Sequence, residues 1–378
     1  MEIILDPTER QRLAEMRALL AEEITASGGA IPFRRYMELA LYAPGLGYYV
    51  GGAAKFGAGG DFVTAPELTP LFGRTLANPA AELLNAVPGG EVLEFGAGSG
   101  RLAADLLAAL ERLGALPARY LILEPSPELR DRQQATLAAA VPRLLGRVEW
   151  LDRLPERFSG LVVANEVLDA MPVERFRITD NGPEAMWVTF DGDDLRAEWR
   201  PAGERLAEAV AAIEGEVGAL PVGYESEWNP NIGPWVAALG AMLERGLVLL
   251  IDYGYPRPVY YHPQRERGTL RCHFRHQVVD DPLLLPGLQD ITAHVDFTAV
   301  AEAADAAGLE RLGYANQASW LLGCGLDRLL TAFDPDDPAT LDQLQAARRL
   351  LLPQGMGEVF KVMALGRGVE EPMGFSGP

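Results

Sequence analysis

The chain has 378 residues, of which 48% are hydrophobic and 23% charged, and its formal net charge is −20. This composition is typical of a globular protein and argues against collagen-like, coiled-coil and disordered chains. The acidic excess argues against nucleic-acid binding, which usually needs a basic face, and suits a cationic partner better. No apolar run approaches the ~18 residues of a membrane span, so we expect no membrane insertion.

The two cysteines, Cys272 and Cys324, make no disulfide framework and indicate a reducing compartment. The first residues are acidic and lack the basic and apolar regions of a secretory signal. We therefore expect a bacterial cytoplasmic protein. A processed organellar form is the alternative.

Residues 1–85 are predicted to form a helical N-terminal extension. Apolar periodicity indicates helices within 7–43, and a glycine-rich stretch at 45–60 indicates a loop. A further helix is predicted to begin near Pro66 and to continue through Leu84. We expect the glycine-rich loop to act as a lid on a core formed by residues 86–378.

Strands and helices alternate in the core. Apolar strands are predicted at 92–95, 120–123, 148–151, 160–164 and 247–251, with helices at 102–113 and 129–140. This order predicts an α/β fold, a Rossmann-like sheet with helices on both faces. Residues 173–235 and 255–296 are expected to be insertions, the first with a hairpin at Asp191-Gly192. The chain closes with predicted helices at 297–307, 320–331 and 338–351 and strands at 309–314 and 358–365.

A glycine turn follows the first core strand. It contains Glu94, Gly96, Gly98 and Gly100. Glycines tolerate positive φ and leave the backbone open to a ligand. The last glycine comes one residue earlier than in the dinucleotide fingerprint. Glu94 would repel a pyrophosphate but suits a cationic methyl donor, which favours S-adenosylmethionine over a dinucleotide.

Acidic residues end the next two strands. Glu124 stands where a carboxylate can accept hydrogen bonds from two ribose hydroxyls. Asp152, after Trp150-Leu151, is a candidate partner for an adenine amino group. In each case the alternative is a solvated acid at the end of a strand.

Asn165, Glu166 and Asp169 follow the fourth strand, at the edge where open α/β sheets place their chemistry. Burying carboxylates there costs free energy unless they are solvated, paired with a cation or engaged by a ligand. Paired carboxylates match a planar guanidinium, and holding the acceptor nitrogen near the methyl group is most of what methyl transfer requires. The alternative is a helix N-cap cluster with Pro172 in the first turn.

These motifs together resemble the MidA-like methyltransferase family, whose mitochondrial member is an assembly factor for respiratory complex I. The stretches that carry the resemblance are Gly60–Glu67 with Leu71–Gly73, Glu94–Gly100, Asn165–Pro172, Ile251–Gly254 and Gln289–Thr298. The resemblance implies a class I methyltransferase fold, S-adenosylmethionine as cofactor, and arginine methylation of a complex I subunit by the mitochondrial member. It also implies that the glycine turn, Glu124 and the Asn165–Asp169 string form the site.

Further candidates lie outside these strands. Gly60, Asp61 and Phe62 are expected to cover the cofactor, with a simple turn as the alternative. Tyr253 is expected to border the substrate pocket. His294 is a candidate base for the proton lost during methyl transfer, unless it caps, with Asp296, the helix that begins at Phe297.

We expect no metal site, since Cys272-His273 and His276 lack a second paired cluster. The sequence thus predicts a methyltransferase that uses S-adenosylmethionine to methylate arginine in a protein. An NAD-linked dehydrogenase and a non-catalytic assembly chaperone on the same fold are the alternatives. Target binding that survives Glu94→Ala or Gly98→Val would indicate the chaperone.

Overall fold

The computed structural model describes residues 4–51, 64–275, 277–331 and 338–375. Its α-helices, in chain order, are α1 (Pro7–Ala26), α2 (Phe33–Tyr42), α3 (Ala65–Leu68), α4 (Leu71–Ala86), α5 (Arg101–Leu113), α6 (Pro127–Ala140), α7 (Glu204–Val217), α8 (Ile232–Met242), α9 (Arg257–Tyr260), α10 (Phe297–Ala306), α11 (Gln317–Gly323), α12 (Leu326–Thr331) and α13 (Pro338–Leu351). Within the described ranges, no helix is both long and apolar enough to cross a bilayer.

The strands form three sheets. In chain order they are β1 (Ile31–Pro32), β2 (Glu91–Phe95), β3 (Tyr120–Leu123), β4 (Val148–Leu151), β5 (Phe158–Asn165), β6 (Glu174–Thr179), β7 (Gly182–Asp191), β8 (Asp194–Pro201), β9 (Glu225–Trp228), β10 (Leu243–Tyr255), β11 (Arg271–Phe274), β12 (Gln277–Val279), β13 (Asp290–Thr292), β14 (Val295–Asp296), β15 (Glu310–Asn316) and β16 (Phe360–Arg367).

The largest sheet has the order β15-β16-β10-β5-β2-β3-β4, and β14 pairs with the end of β10. Strands β10, β5, β2, β3 and β4 run parallel to their neighbours in this series, whereas β16 is antiparallel to both of its neighbours. The strand order reverses between β2 and β5. The predicted Rossmann-like α/β sheet is therefore confirmed, and its switch point lies at the glycine turn.

Helices cover both faces of this sheet, as predicted. Successive side chains of a strand point to opposite faces: Val92 packs into the layer that holds α4 and α5, and Leu93 into the layer that holds α8 and α10. Both side chains are fully buried. The apolar runs of the sequence reflect this burial on two sides.

The helix predicted from Pro66 to Leu84 is instead two helices, α3 and α4. The backbone is extended at Thr69, with φ −165° and ψ 144°. Pro70 follows, and a proline disfavours the helical conformation of the residue before it. Helix α3 therefore has its own direction, and Glu67 in it accepts a hydrogen bond from Ser99 of the glycine turn. Helix α4 shares an apolar cluster with α5 and the large sheet.

The first insertion forms an antiparallel sheet of order β1-β7-β6-β9, with β8 added to β7. The predicted hairpin joins β7 to β8, where Asp191 is paired with Asp194. Strand β1, from the N-terminal extension, pairs with β7 of this sheet, which the sequence did not predict. The second insertion contributes a small sheet of order β12-β11-β13. The division of the chain at residue 85 stays a prediction.

Candidate active site

A cavity of about 270 Å³ opens at the carboxyl ends of β2 and β5. Open α/β sheets bind ligands at this edge, beside the switch point. The described lining holds a single basic side chain, Arg101, against several carboxylic acids: Glu67, Glu94, Glu124, Glu166, Asp169 and Asp290. The cavity therefore presents an excess of carboxyl groups to whatever enters it.

The glycine turn forms the floor of the cavity. Gly96, Gly98 and Gly100 all adopt positive φ, at 59°, 52° and 84°. A Cβ added to Gly100 would lie 3.0 Å from the Cα of Gln133, so this glycine lets the turn pack against α6. Above Gly96 the nearest heavy atom to an added Cβ is 3.9 Å away, on Val167. The predicted turn is thus open on its cavity side, where a ligand can approach the backbone.

Glu94 is buried beneath the turn, and the hydroxyl of Tyr120 donates a 2.6 Å hydrogen bond to its carboxylate. Burial raises the pKa of Glu94 to about 7, the hydrogen bond from Tyr120 opposes this shift, and the charge of Glu124 adds to it. A positively charged ligand in the cavity would therefore favour the ionised form of Glu94.

Glu124 is held by its own turn and by α6. Its carboxylate accepts the backbone N–H of Ser126 and the side-chain N–H of Gln133, each at 3.0 Å. Gln133 also donates to the carbonyl of Gly98 at 3.1 Å and accepts the indole N–H of Trp150 at 2.8 Å. One amide therefore fixes the glycine turn relative to the carboxylate. No sequence motif indicated this role for Gln133.

Asn165 and Glu166 turn the chain at the end of β5. Glu166 is one of two described non-glycine residues with positive φ, at 54°, and its backbone N–H donates to the carbonyl of Ile251 at 2.8 Å. The Asn165 amide donates to its carboxylate at 3.1 Å. Burial, and next the charge of Asp169, raise the pKa of Glu166 to about 8. Backbone strain of this kind is common at functional sites.

Asp169 is the second carboxylic acid of this turn. The hydroxyl of Tyr253 donates a hydrogen bond to it, so the predicted place of Tyr253 beside the site is supported by a direct contact. Burial raises the pKa of Asp169 to about 6, and the hydrogen bond from Tyr253 opposes the shift. This turn thus places two carboxylic acids in a cavity wall that has few positively charged side chains among its described residues.

Three buried oxygens of this turn lack a hydrogen bond of ordinary length and angle within the described part of the chain. They are Oδ1 of Asn165, Oε2 of Glu166 and Oδ1 of Asp169. Buried acceptors are almost always satisfied in native proteins. Their grouping in the cavity wall indicates a ligand that brings several donors.

The sequence did not single out Asp290 and Tyr49 as site residues, yet both line the cavity beside Asp169. Asp290 begins β13 of the second insertion, and the Tyr49 hydroxyl donates to its carboxylate at 2.9 Å. The Tyr49 ring stacks on Tyr42, with centroids 5.5 Å apart. The family motif at 289–298 could have indicated Asp290, but nothing in the sequence indicated the tyrosines.

Residues 73–315 match the model of the S-adenosyl-L-methionine-dependent methyltransferase family. The chain belongs to this family. The methyltransferase is 46% identical to a protein from Burkholderia thailandensis whose crystal structure contains S-adenosyl-homocysteine, with a TM-score of 0.94 over 99% of this chain and 97% of the other. This likeness confirms the class I methyltransferase fold.

Named relatives of the methyltransferase are more distant. It is 29% identical to mouse protein arginine methyltransferase NDUFAF7, mitochondrial, over 95% of this chain and 86% of the relative. The Drosophila melanogaster homologue of that protein is 28% identical, over 97% and 90%. These comparisons give no support to a dehydrogenase or to a non-catalytic chaperone.

The cavity of this methyltransferase suits its cofactor, S-adenosylmethionine. Carboxylates can serve its hydroxyls and its positive charges, and the open glycine turn lets a ligand lie against the backbone. Apolar side chains beside Glu124 suit an adenine ring: Leu102, Leu123, Pro125 and Leu129. The scarcity of basic side chains in the described lining suits this ligand better than a pyrophosphate.

Four of the residues expected at the site lie outside the described cavity lining: Gly100, Asp152, Tyr253 and His294. The Asp152 side chain is 88% exposed and forms an ion pair with Arg130 at 2.6 Å, because β4 ends at the outer edge of the sheet. His294 lies beyond β13, its ring edge-on to Tyr253 at 5.2 Å and to Tyr255 at 5.3 Å. Neither residue contributes a side chain to the described cavity wall.

His294 is partly buried, and this burial together with the nearby positive charges of Arg265 and Arg271 lowers its pKa to about 3. Such an imidazole is a weak proton acceptor. The capping alternative is confirmed for Asp296, whose carboxylate accepts the N–H groups of Thr298 and Ala299 at 3.0 and 3.2 Å. The other expected site residues Gly60, Asp61 and Phe62, like His276, lie outside the described residues.

Proposed function

We propose that this methyltransferase transfers its methyl group to the guanidinium of an arginine in a protein. The observation that carries the proposal is the pair of buried carboxylate oxygens on Glu166 and Asp169 that lack a hydrogen bond of ordinary length and angle among the described residues. A guanidinium offers five N–H donors in a planar fork and keeps its charge. Two adjacent carboxylates are the partners that this geometry matches best.

Electrostatics support the same acceptor. The pKa of Glu166 is raised to about 8 and that of Asp169 to about 6, in both cases chiefly by burial. A bound guanidinium would supply the positive charge that these groups lack and would favour their ionised forms. The relatives named protein arginine methyltransferase, at 28–29% identity over nearly the whole chain, support this choice.

In this proposal the cofactor lies along the glycine turn. The backbone of Gly96 and Gly98 provides the close approach, Glu124 accepts the ribose hydroxyls, and Glu94 faces positive charge of the ligand. Asn165 also lines the cavity, so its amide can contact a bound ligand.

S-adenosylmethionine supplies an electrophilic methyl group on a positively charged sulfur, and its transfer to nitrogen leaves a neutral thioether and one proton to be removed. Glu166 and Asp169 hold the guanidinium, and the carboxylate of Glu166 takes that proton. A carboxyl group whose pKa stands near 8 in the buried site suits this task better than one at its ordinary value.

The test uses S-adenosylmethionine with an isotopically labelled methyl group and three peptide pools that differ at one position, which is arginine, lysine or citrulline. We expect label in the arginine pool alone, and methylated arginine in its hydrolysate by mass spectrometry. Label in the lysine pool, or in none of the pools while another nitrogen or oxygen acceptor is methylated, would contradict the proposal.

Glu166→Gln should lower the rate of transfer by about 100-fold or more, because both charge and proton acceptor are lost. The matched control is Glu174→Gln. Glu174 is also an acid whose pKa is raised by burial, but it lies on β6 and pairs with Arg34, outside the described lining. The control should retain the wild-type rate.

A further inference from the structure

We propose that Asp290, positioned by the hydroxyl of Tyr49, is a recognition carboxylate for the acceptor guanidinium. The inference rests on the proposed arginine acceptor and assigns its binding site to parts of the chain outside the Rossmann-like core. Tyr49 belongs to the N-terminal extension and Asp290 to the second insertion. Neither lies near the glycine turn in the sequence.

The position of Asp290 in the cavity supports this role. Its residue surface is 5% exposed, and it lines the cavity together with Glu166 and Asp169. The charge of Asp290 raises the pKa of Glu166, which shows that the two carboxyl groups share one electrostatic environment. Three carboxyl groups that line one cavity favour a cationic ligand over a neutral one.

The contacts of β13 hold Asp290 at this place. Asp290 is in register with His273 of β11, and Ala293, just after β13, donates its backbone N–H to the carbonyl of Asp169 at 3.0 Å. The insertion is thus hydrogen-bonded directly to the turn that carries Glu166. A shift of the insertion would move Asp290 relative to that turn.

The tyrosines complete the subsite from the side of the N-terminal extension. Tyr49 donates to Asp290 at 2.9 Å, and Tyr42 donates to the carbonyl of Ala170 at 2.9 Å. Their rings are stacked, with an interplanar angle of 25°. Both tyrosines line the cavity. A planar guanidinium binds well between carboxylates and aromatic faces, whereas the compact, strongly hydrated ammonium of lysine gains less from such a surface.

The experiment measures binding without turnover. The protein is saturated with S-adenosyl-homocysteine and titrated with N-acetyl-arginine methylamide or with its neutral analogue N-acetyl-citrulline methylamide, followed by ligand-detected NMR. The variants are Asp290→Asn and Tyr49→Phe. The control, Asp280→Asn, changes an exposed acid of the same insertion. Affinity for S-adenosyl-homocysteine, measured by calorimetry, reports whether each variant keeps its fold.

We expect the wild type to bind the arginine probe and to reject the citrulline probe. Asp290→Asn should weaken arginine binding by at least about tenfold, since one partner of a buried charge pair is lost, and Tyr49→Phe by about threefold, since only a positioning hydrogen bond is lost. In peptide turnover, both variants should raise KM more than they lower kcat. Asp280→Asn should match the wild type in both assays.

The outcomes separate this inference from the proposed function. If the wild type treats the two probes alike, the arginine acceptor itself is wrong and the inference fails with it. If the wild type discriminates and Asp290→Asn binds arginine equally well, only the role of Asp290 is overturned. If Asp290→Asn no longer binds S-adenosyl-homocysteine, the Tyr49→Phe variant provides the test. The inference is overturned if Tyr49→Phe binds the arginine probe as tightly as the wild type does, and it is supported if Tyr49→Phe binds the probe more weakly.

Discussion

Asp252 lies directly behind Asp169, and one oxygen of its carboxylate accepts the backbone N–H of Asp169 at 3.2 Å. The same oxygen accepts the N–H of Leu168 at 3.0 Å, and the other accepts the N–H of Tyr253 at 2.9 Å. Asp252 is fully buried, and burial raises its pKa well above the ordinary value. The end of β10 thereby holds the turn that carries Glu166 and Asp169.

Asp252→Asn should lower the free energy of unfolding by about 1–3 kcal/mol, because an amide offers one acceptor oxygen where the carboxyl group serves donors with both. Urea denaturation measures this change. The matched control is Asp305→Asn, an exposed acid on α10, which should leave stability unchanged within about 0.5 kcal/mol. Equal stability of the Asp252 variant and the wild type would show that these hydrogen bonds do not hold the turn.

Gly98→Val should abolish measurable binding of S-adenosylmethionine. The substitution forces a β-branched residue into positive φ and places its side chain in the turn that lines the cavity. Gly114→Val is the matched control: Gly114 also has positive φ, at 68°, but lies at the end of α5 with no atom within 4 Å of an added Cβ. Calorimetric titration should show wild-type affinity in the control, and no affinity for NAD in either protein.

The affinity for S-adenosylmethionine should rise as the pH increases from 5.5 to 7.5, by about tenfold. The pKa of Glu94 is raised to about 7, so the acid is mostly protonated at the lower end, and a cationic ligand favours the ionised form. Glu94→Gln should bind more weakly at pH 7.5 and with a flatter pH profile. A profile as steep as that of the wild type would assign the effect to another group.

The stability of the ligand-free protein should fall between about pH 5 and pH 8 relative to that of Glu166→Gln. The pKa of Glu166 is raised to about 8 in the folded protein, so over this range the folded state holds a proton that the unfolded chain has lost. Stability therefore decreases with rising pH. Parallel stability profiles of the two proteins, measured by urea denaturation across this range, would be evidence against the raised pKa.

Much of the cofactor side of the site could be predicted from local sequence. Glu94, the glycines and Glu124 lie immediately after two neighbouring strands, and parallel strands bring their carboxyl ends to one edge of a sheet. The same rule was too coarse for Asp152, which also ends a strand but points to solvent at the sheet edge. The direction of a side chain at the end of a strand depends on which residues surround it in the fold. No local sequence pattern identifies those neighbours.

The acceptor side depended on contacts between distant parts of the chain. Tyr49 and Asp290 are 241 positions apart, and their hydrogen bond joins the N-terminal extension to the second insertion. His294 belongs to the same specific motif as Asp290, but Asp290 lines the cavity and His294 is absent from the described cavity wall. In an extended segment, residues only a few positions apart can face opposite sides.

The sequence by itself determined the α/β architecture and the position of the glycine turn, because these depend on hydrophobic periodicity and on the backbone freedom of glycine, which are local properties. The family was indicated by the resemblance of its specific motifs. Only the tertiary structure decided which acids share the cavity and how strongly they are perturbed. Their raised pKa values arise from burial and from mutual charge, and both depend on which distant segments pack around them.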